Sequence, residues 1–195
     1  MRENTRVWDT FYPQNPARLC TVGIMGLGVM GQSSAEMLRN MGLPVIGWSR
    51  SPKNLPGIES FHGQEGLGAF LARTQILVSQ LPATPETKNI FSAPLLSQLP
   101  KGAALINAGR GSQHNIPDII AALDEGHLAG AVLDVFDTEP LPADSPIWSH
   151  PKIVVTCHIA SSPTKLECTR YALDLIAAFE RGDELPNLYD PTRGY

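Results

Sequence analysis

A doubly wound α/β fold, with a parallel sheet covered by helices, is predicted by three features of this 195-residue chain: a glycine run after an apolar segment, a series of further short apolar runs, and helical segments between them. The first strand is read from Leu19 to Met25, directly before Gly26-Leu27-Gly28-Val29-Met30-Gly31. A helix follows, with Met30, Ser34, Met37, Leu38 and Met41 on one face at i, i+3, i+4 spacing, and Gly42 stops it before Pro44. Later strands are read at Val45 to Trp48, Ile76 to Val78, Ala103 to Ile106, Ala129 to Leu133 and Ile153 to Val155. Their continuous apolar character predicts burial on both faces, which is the signature of a parallel sheet. The best-marked later helix spans Asn115 to Glu125, with Pro117 in its first turn, Ile116, Ile119, Ile120 and Leu123 on its apolar face, and Gly126 at its end.

Three segments are expected: an arm over residues 1–18, the main domain over 19–162, and a helix with a tail over 163–195. The arm carries Trp8, Phe11 and Tyr12 without periodicity, and Pro13 and Pro16 mark it as a linker. Pro163 opens a long helix to Arg181 whose Cys168, Tyr171, Ala172, Leu175, Ile176 and Phe179 form an apolar stripe that needs a cover. A homodimer is one way to cover it.

The glycine run reads as a turn that brings backbone N–H groups against a pyrophosphate. Gly26 permits the tight turn, Gly28 keeps side chains off the phosphates, and Gly31 lets helix and strand pack closely, with Val29 and Met30 opening the helix that faces the charge. This is a Rossmann-type arrangement, and the expected ligand is a dinucleotide. The second strand ends in Trp48-Ser49-Arg50-Ser51-Pro52-Lys53, where an NAD-selective site carries an acid for the ribose hydroxyls, and no acid occurs before Glu59. A guanidinium with serine hydroxyls suits a 2′-phosphate, so NADP(H) is expected over NAD(H), with Trp48 flanking the adenine.

Composition narrows the classes of function. With 43% apolar and 17% charged residues, the chain supports one substantial core. A net charge of −4 without basic runs argues against a nucleic-acid partner. No run approaches the about 20 apolar residues of a membrane span, and the first residues lack a secretory signal, so a cytoplasmic protein is expected. Cys20, Cys157 and Cys168 have no metal-ligand spacing; no metal is expected, and the thiols are read as reduced and mostly buried.

Three side chains with reaction chemistry sit just past apolar strands: Arg110 in Asn107-Ala108-Gly109-Arg110-Gly111, Asp134 in Leu133-Asp134-Val135-Phe136, and His158 in Thr156-Cys157-His158-Ile159-Ala160. In an open parallel sheet all three converge on one crevice, and Glu139, on the loop after Asp134, lies within reach of His158. The site therefore combines a cation, an acid–base imidazole and a carboxylate. His62, His114, His127 and His150 lack such company and are assigned structural or surface roles, and Trp148 is read as a packing residue.

These segments, with Leu81-Pro82-Ala83-Thr84-Pro85-Glu86-Thr87 and Trp148-Ser149-His150-Pro151, resemble the cofactor domain of the D-isomer-specific 2-hydroxyacid dehydrogenases over Leu19 to Tyr195, and within that family its glyoxylate/hydroxypyruvate reductase A branch. The resemblance implies that Arg110 holds a substrate carboxylate, that His158 is the proton donor, that Glu139 pairs with His158, and that Asp134 helps seat the nicotinamide. It also implies that Leu81, Pro82 and Thr87 line the adenosine side, and that Ala108, Gly109, His158 and Ala160 lie against the cofactor. Physical logic agrees: a guanidinium binds a 2-oxoacid carboxylate bidentately, and a protonated imidazole neutralises the oxygen as hydride reaches the carbon.

Two departures from the family pattern stand out. The segment of about a hundred residues that builds most of the family's substrate domain has no counterpart before Met1, so the alternative to a 2-oxoacid reductase is a non-catalytic NADP(H)-binding module. Cys157 replaces the proline that many relatives carry before the histidine.

Overall fold

A computed structural model of the chain describes residues 19–190. Within them β1 (Val22–Met25), β2 (Val45–Ser49), β3 (Glu59–His62), β4 (Ile76–Ser79), β5 (Ala103–Asn107), β6 (Leu128–Leu133) and β7 (Ile153–Val155) form one parallel sheet in the order β3-β2-β1-β4-β5-β6-β7. The order reverses between β1 and β4, so a crevice opens there at the carboxyl ends of the strands. The expected arm and the last five residues lie outside the described residues.

Every strand in the sequence reading forms, and β3 is an addition. Glu59-Ser60-Phe61-His62 is polar because it is an edge strand exposed along much of its length, so it lacks the apolar run that marks the others. The first strand begins at Val22 rather than Leu19, which is exposed.

Among the described residues five α-helices, α1 (Val29–Asn40), α2 (Gly63–Ala72), α3 (Ala93–Leu96), α4 (Ile116–Asp124) and α5 (Lys165–Arg181), accompany the sheet. On one face Phe70 and Leu71 of α2, Leu95 and Leu96 of α3 and Ile119 and Leu123 of α4 meet Met25, Leu77, Leu105 and Leu133 in the larger core. On the other face α1 packs Ala35 against Val22, Ile24 and Leu27. Helix α4 stops as expected at Gly126, which takes a left-handed φ of 71°, and at its start the Asn115 side chain accepts from Asp118 N–H.

Three expectations about faces are corrected. The buried side of α1 carries Gly31 and Ala35, whereas Met30, Met37 and Met41 are exposed, because the helix approaches the glycine turn too closely for large side chains. Beyond β4 the α1 side of the sheet is open among the described residues: Ile106 and Val132 are half-buried and Val154 is exposed. The cysteines are not buried, since Cys157 and Cys168 are exposed and Cys20 is intermediate.

Helix α5 starts in a reciprocal cap, Thr164 with Glu167, and ends at Gly182 with φ 74°. None of its residues is buried, and Tyr171, Ile176 and Phe179 of the predicted stripe face solvent among the described residues.

Candidate active site

The parallel register sets Asn107 of β5 beside Leu133 of β6, and Leu133 beside Val155 of β7. Arg110, Asp134 and His158 follow these residues by one to three positions, so all three leave the sheet at its carboxyl edge. The glycine turn leaves β1 at the same edge, because β1 runs parallel to its neighbours.

The turn has the geometry a phosphate cradle requires. Gly26 has φ 107°, and a Cβ there would meet Gln80 O at 2.8 Å. A Cβ on Gly31 would fall 1.8 Å from Gly26 O, so only glycine lets the helix seat on the turn. At Gly28 a Cβ would meet no atom within 4 Å, which leaves open space over the start of α1. No acid occupies that first turn and no side chain caps it, so its N–H groups and positive helix end are available to an anion. These residues fit a dinucleotide.

At the end of β2 the expected cofactor residues divide between exposed and buried positions. Arg50 and Ser51 are exposed beside the edge, and Arg50 lies close enough to Glu86 to add to the lowering of that carboxyl's pKa, which comes first from a hydrogen bond with Thr84. Ser49 is buried and its hydroxyl donates to Ser51 O at 2.8 Å, shaping the turn. Trp48 is a correction: it is only 8% exposed, sits in the larger core, and donates its indole N–H to Gly63 O, so it cannot offer a face to an adenine. Leu81 likewise turns its side chain into the core, leaving backbone at the edge. Thr87 accepts from Thr84 N–H at 2.9 Å and donates to Pro82 O at 2.7 Å; its hydroxyl builds the loop.

His158 and Glu139 come together. Nδ1 of His158 lies 2.8 Å from Glu139 Oε2, while Glu139 Oε1 accepts from Phe136 N–H at 2.8 Å. The histidine hydrogen bond, then that N–H, hold the Glu139 carboxyl below its ordinary pKa, so it stays ionised and holds the ring by Nδ1, which leaves Nε2 for other chemistry. His158 has φ 54°, a left-handed backbone that a non-glycine residue adopts only when its surroundings impose it.

Asp134 supplies much of that constraint. Its carboxylate accepts from Thr156 Oγ1, from Ile159 N–H at 3.0 Å and from Ala160 N–H at 2.9 Å, and its backbone carbonyl accepts from His158 N–H at 2.8 Å. Burial acts to raise its pKa, but those hydrogen bonds and the nearby His158 outweigh it, and the carboxyl lies below its ordinary value. Asp134 thus clamps the His158 loop, a contribution that its position alone did not disclose. Ala160 contributes its N–H to the clamp.

Arg110 is exposed and donates from Nη1 to Gly109 O at 2.8 Å. Ala108 and buried Gly109 precede it, and Asn107, fully buried, accepts from Gly109 N–H at 2.9 Å and donates to Arg110 O at 3.2 Å. The Asn107 amide also reaches His114 Nε2 at 2.6 Å, and because an amide NH₂ only donates, that nitrogen accepts and the ring is neutral. Burial pushes the His114 pKa down to about 4 from the ordinary 6.5. Between those values the unfolded chain binds the proton and the folded one does not, so stability is full above about pH 6.5 and falls as pH drops toward 4, by about 3 kcal/mol. The expected result is a flatter dependence for His114→Leu than for wild type over that window in urea unfolding; parallel curves would contradict it.

A pocket of ≈ 400 Å³ adjoins the pair, lined by Phe136, Glu139, Pro140, Leu141, Trp148, Val155, Thr156, Cys157 and His158. Trp148, expected as packing, is 48% exposed on its wall. Among the described residues no group of His, Cys, Asp and Glu is arranged to hold a metal ion, and no helix is long and apolar enough to cross a membrane.

The chain is similar in sequence and in fold to known proteins. Residues 1–160 match the family model for the D-isomer specific 2-hydroxyacid dehydrogenase, NAD binding domain. The glyoxylate/hydroxypyruvate reductase A of Citrobacter koseri is 45% identical over 193 residues, 99% of this chain and 62% of the relative. The chain thus spans about three fifths of that relative's length. An NADPH-dependent glyoxylate/hydroxypyruvate reductase from Sinorhizobium meliloti, solved with NADP and sulfate, superposes with a TM-score of 0.90 at 42% identity, covering 97% of this chain and 61% of that one. A D-isomer specific 2-hydroxyacid dehydrogenase from Xanthobacter autotrophicus Py2, solved with NADPH and MES, gives 0.89 at 42% identity over 96% of this chain and 77% of the other.

Proposed function

Because the chain belongs to the D-isomer specific 2-hydroxyacid dehydrogenase family through its NAD-binding domain, we propose that it binds NADP(H) at the carboxyl edge and reduces a small 2-oxoacid, glyoxylate or hydroxypyruvate, to the 2-hydroxyacid. The observation that carries this reading is the His158–Glu139 pair, 2.8 Å apart, on the same sheet edge as Arg110 and the glycine turn.

Each residue has a task in that reaction. The N–H groups at Gly28 to Gly31 hold the pyrophosphate, and Arg50 with Ser51 meets the 2′-phosphate. When bound, a reduced nicotinamide supplies the hydride. Arg110 takes the substrate carboxylate in two parallel hydrogen bonds, which orients the neighbouring carbonyl. His158 gives the proton from Nε2 to the oxygen as charge develops there, while Glu139 keeps the ring turned to it. Asp134 holds the loop that aims His158. The product leaves with one hydride on carbon and one proton on oxygen.

The expected preference follows from Arg50. NADPH is expected to bind more tightly than NADH, and Arg50→Ala to weaken NADPH about ten-fold while leaving NADH within about two-fold. Fluorescence titration checks this, and equal affinities in wild type would refute the NADP(H) assignment.

A second reading is favoured by one observation, the exposure of the site: the side chains of His158 and Glu139 are 51% and 37% exposed. Water at a hydride-transfer centre weakens preorganised electrostatics, which is consistent with a module that binds NADP(H) without turnover. Loss of NADPH absorbance on adding glyoxylate selects the reductase, and binding without that loss selects the module.

A further inference from the structure

Gln113 lies between the two loops that the proposed reaction uses, and it is fully buried. It follows Arg110 by three residues at the end of a 3-10 turn, Gly111–Gln113, and neither periodicity nor motif marks it in the sequence. Its side-chain oxygen accepts from Arg110 N–H at 3.2 Å and from Ser79 Oγ at 3.2 Å. Its NH₂ donates to Leu81 O at 2.9 Å and to Pro82 O at 3.2 Å.

Those four bonds use both acceptor positions and both donors of the amide. Its orientation is fixed by its neighbours, since the two carbonyls only accept and the Arg110 N–H only donates. The amide thus joins the end of β4, the loop after it and the backbone that carries the guanidinium. Close packing leaves that backbone little freedom, because a Cβ on Gly109 would lie 2.7 Å from the Gln113 oxygen and one on Gly111 would lie 1.8 Å from Phe136 C.

We propose that Gln113 is a positioning residue that locks the Arg110 loop to the Leu81–Pro82 loop, so that the 2-oxoacid carboxylate site and the dinucleotide site keep one fixed spacing. This rests on the reductase reading above. Gln113 touches neither reactant; its effect passes through Arg110 on one side and the loop backbone on the other.

A glutamate tests this better than an apolar residue, because Gln113→Leu removes all four hydrogen bonds, strands the buried Ser79 Oγ and Leu81 O, and is liable not to fold. Protonated, Gln113→Glu keeps an acceptor oxygen for Arg110 N–H and one donor for the carbonyls. Ionised, it has no donor and faces Leu81 O and Pro82 O with negative charge, which drives the two loops apart. Burial raises the pKa of such a carboxyl, so the change falls in an accessible range.

The experiment is titration of wild type and Gln113→Glu with NADPH, and of their NADPH complexes with oxalate as a carboxylate probe, at about pH 6 and about pH 8. The expected result is a variant close to wild type at the lower pH and weakened about ten-fold or more for both ligands at the higher pH, while wild type shifts little and circular dichroism shows both proteins folded. A merely structural glutamine would give a variant that follows wild type in both affinities at both pH values once folded, and that result overturns the proposal. If wild type itself fails to bind NADPH, the reductase reading fails and the proposal with it; if wild type binds and the variant tracks it, only the proposal fails.

Discussion

His158→Ala is expected to lower the rate of glyoxylate reduction roughly 10²–10⁴-fold while leaving NADPH affinity within about two-fold of wild type. The size of the effect follows from the role: His158 acts on the carbonyl oxygen in the transition state and its Nδ1 is held by Glu139 at 2.8 Å, so removing the ring removes the proton source and nothing that grips the dinucleotide. Glu139→Gln keeps a hydrogen-bond acceptor on the ring but withdraws the charge, and it is expected to fall between the two. The measurement is NADPH absorbance at saturating glyoxylate. A near-wild-type rate in His158→Ala would reject the proton-donor role, and a lost cofactor affinity would place the residue in binding instead.

Two alanine substitutions in the glycine turn are expected to have opposite consequences. Gly31→Ala sets a methyl 1.8 Å from Gly26 O and 3.4 Å from Ile24 Cγ2, so α1 must back away from β1. The expected cost is about 3 kcal/mol, a fall in melting temperature of roughly 6–12 °C for a chain of this size. Gly28→Ala meets nothing within 4 Å and its φ of −75° suits alanine, so stability should stay within about 0.5 kcal/mol of wild type. Its methyl nevertheless fills the space where the phosphates approach, and NADPH affinity is expected to drop about ten-fold or more. Thermal unfolding and NADPH titration of the two variants separate the effects. Equal stability loss in both would show that the turn is packed differently from the arrangement described.

Much of this was legible in the sequence because the strands that are buried carry unbroken apolar runs, and because Gly26, Gly28 and Gly31 occupy positions with a stereochemical requirement. The shared address of Arg110, Asp134 and His158 followed from topology alone, since parallel strands deliver their following residues to one edge. What escaped the sequence depends on contacts between distant segments. Trp48 closes the apolar run of the second strand in the sequence and so suggests a cofactor wall, yet α2 and β3 close over it and Gly63 O takes its N–H. The methionines of α1 follow helical spacing, but close approach to the turn selects Gly31 and Ala35 as the inner face. β3 shows no apolar run because an edge strand needs none. The clamp by Asp134 and the hydrogen bonds of Gln113 to Ser79, Leu81 and Pro82 join partners 22 to 34 residues apart in sequence, which no local pattern encodes.

A crystal structure of the chain with NADPH bound would show at once whether the dinucleotide and the reacting side chains share this edge. The expected structure has the pyrophosphate against Gly26 to Gly31, the 2′-phosphate on Arg50, and the nicotinamide ring in the space between Arg110 and His158. A dinucleotide that leaves the Gly28 cradle empty, or whose nicotinamide lies away from His158, would contradict it.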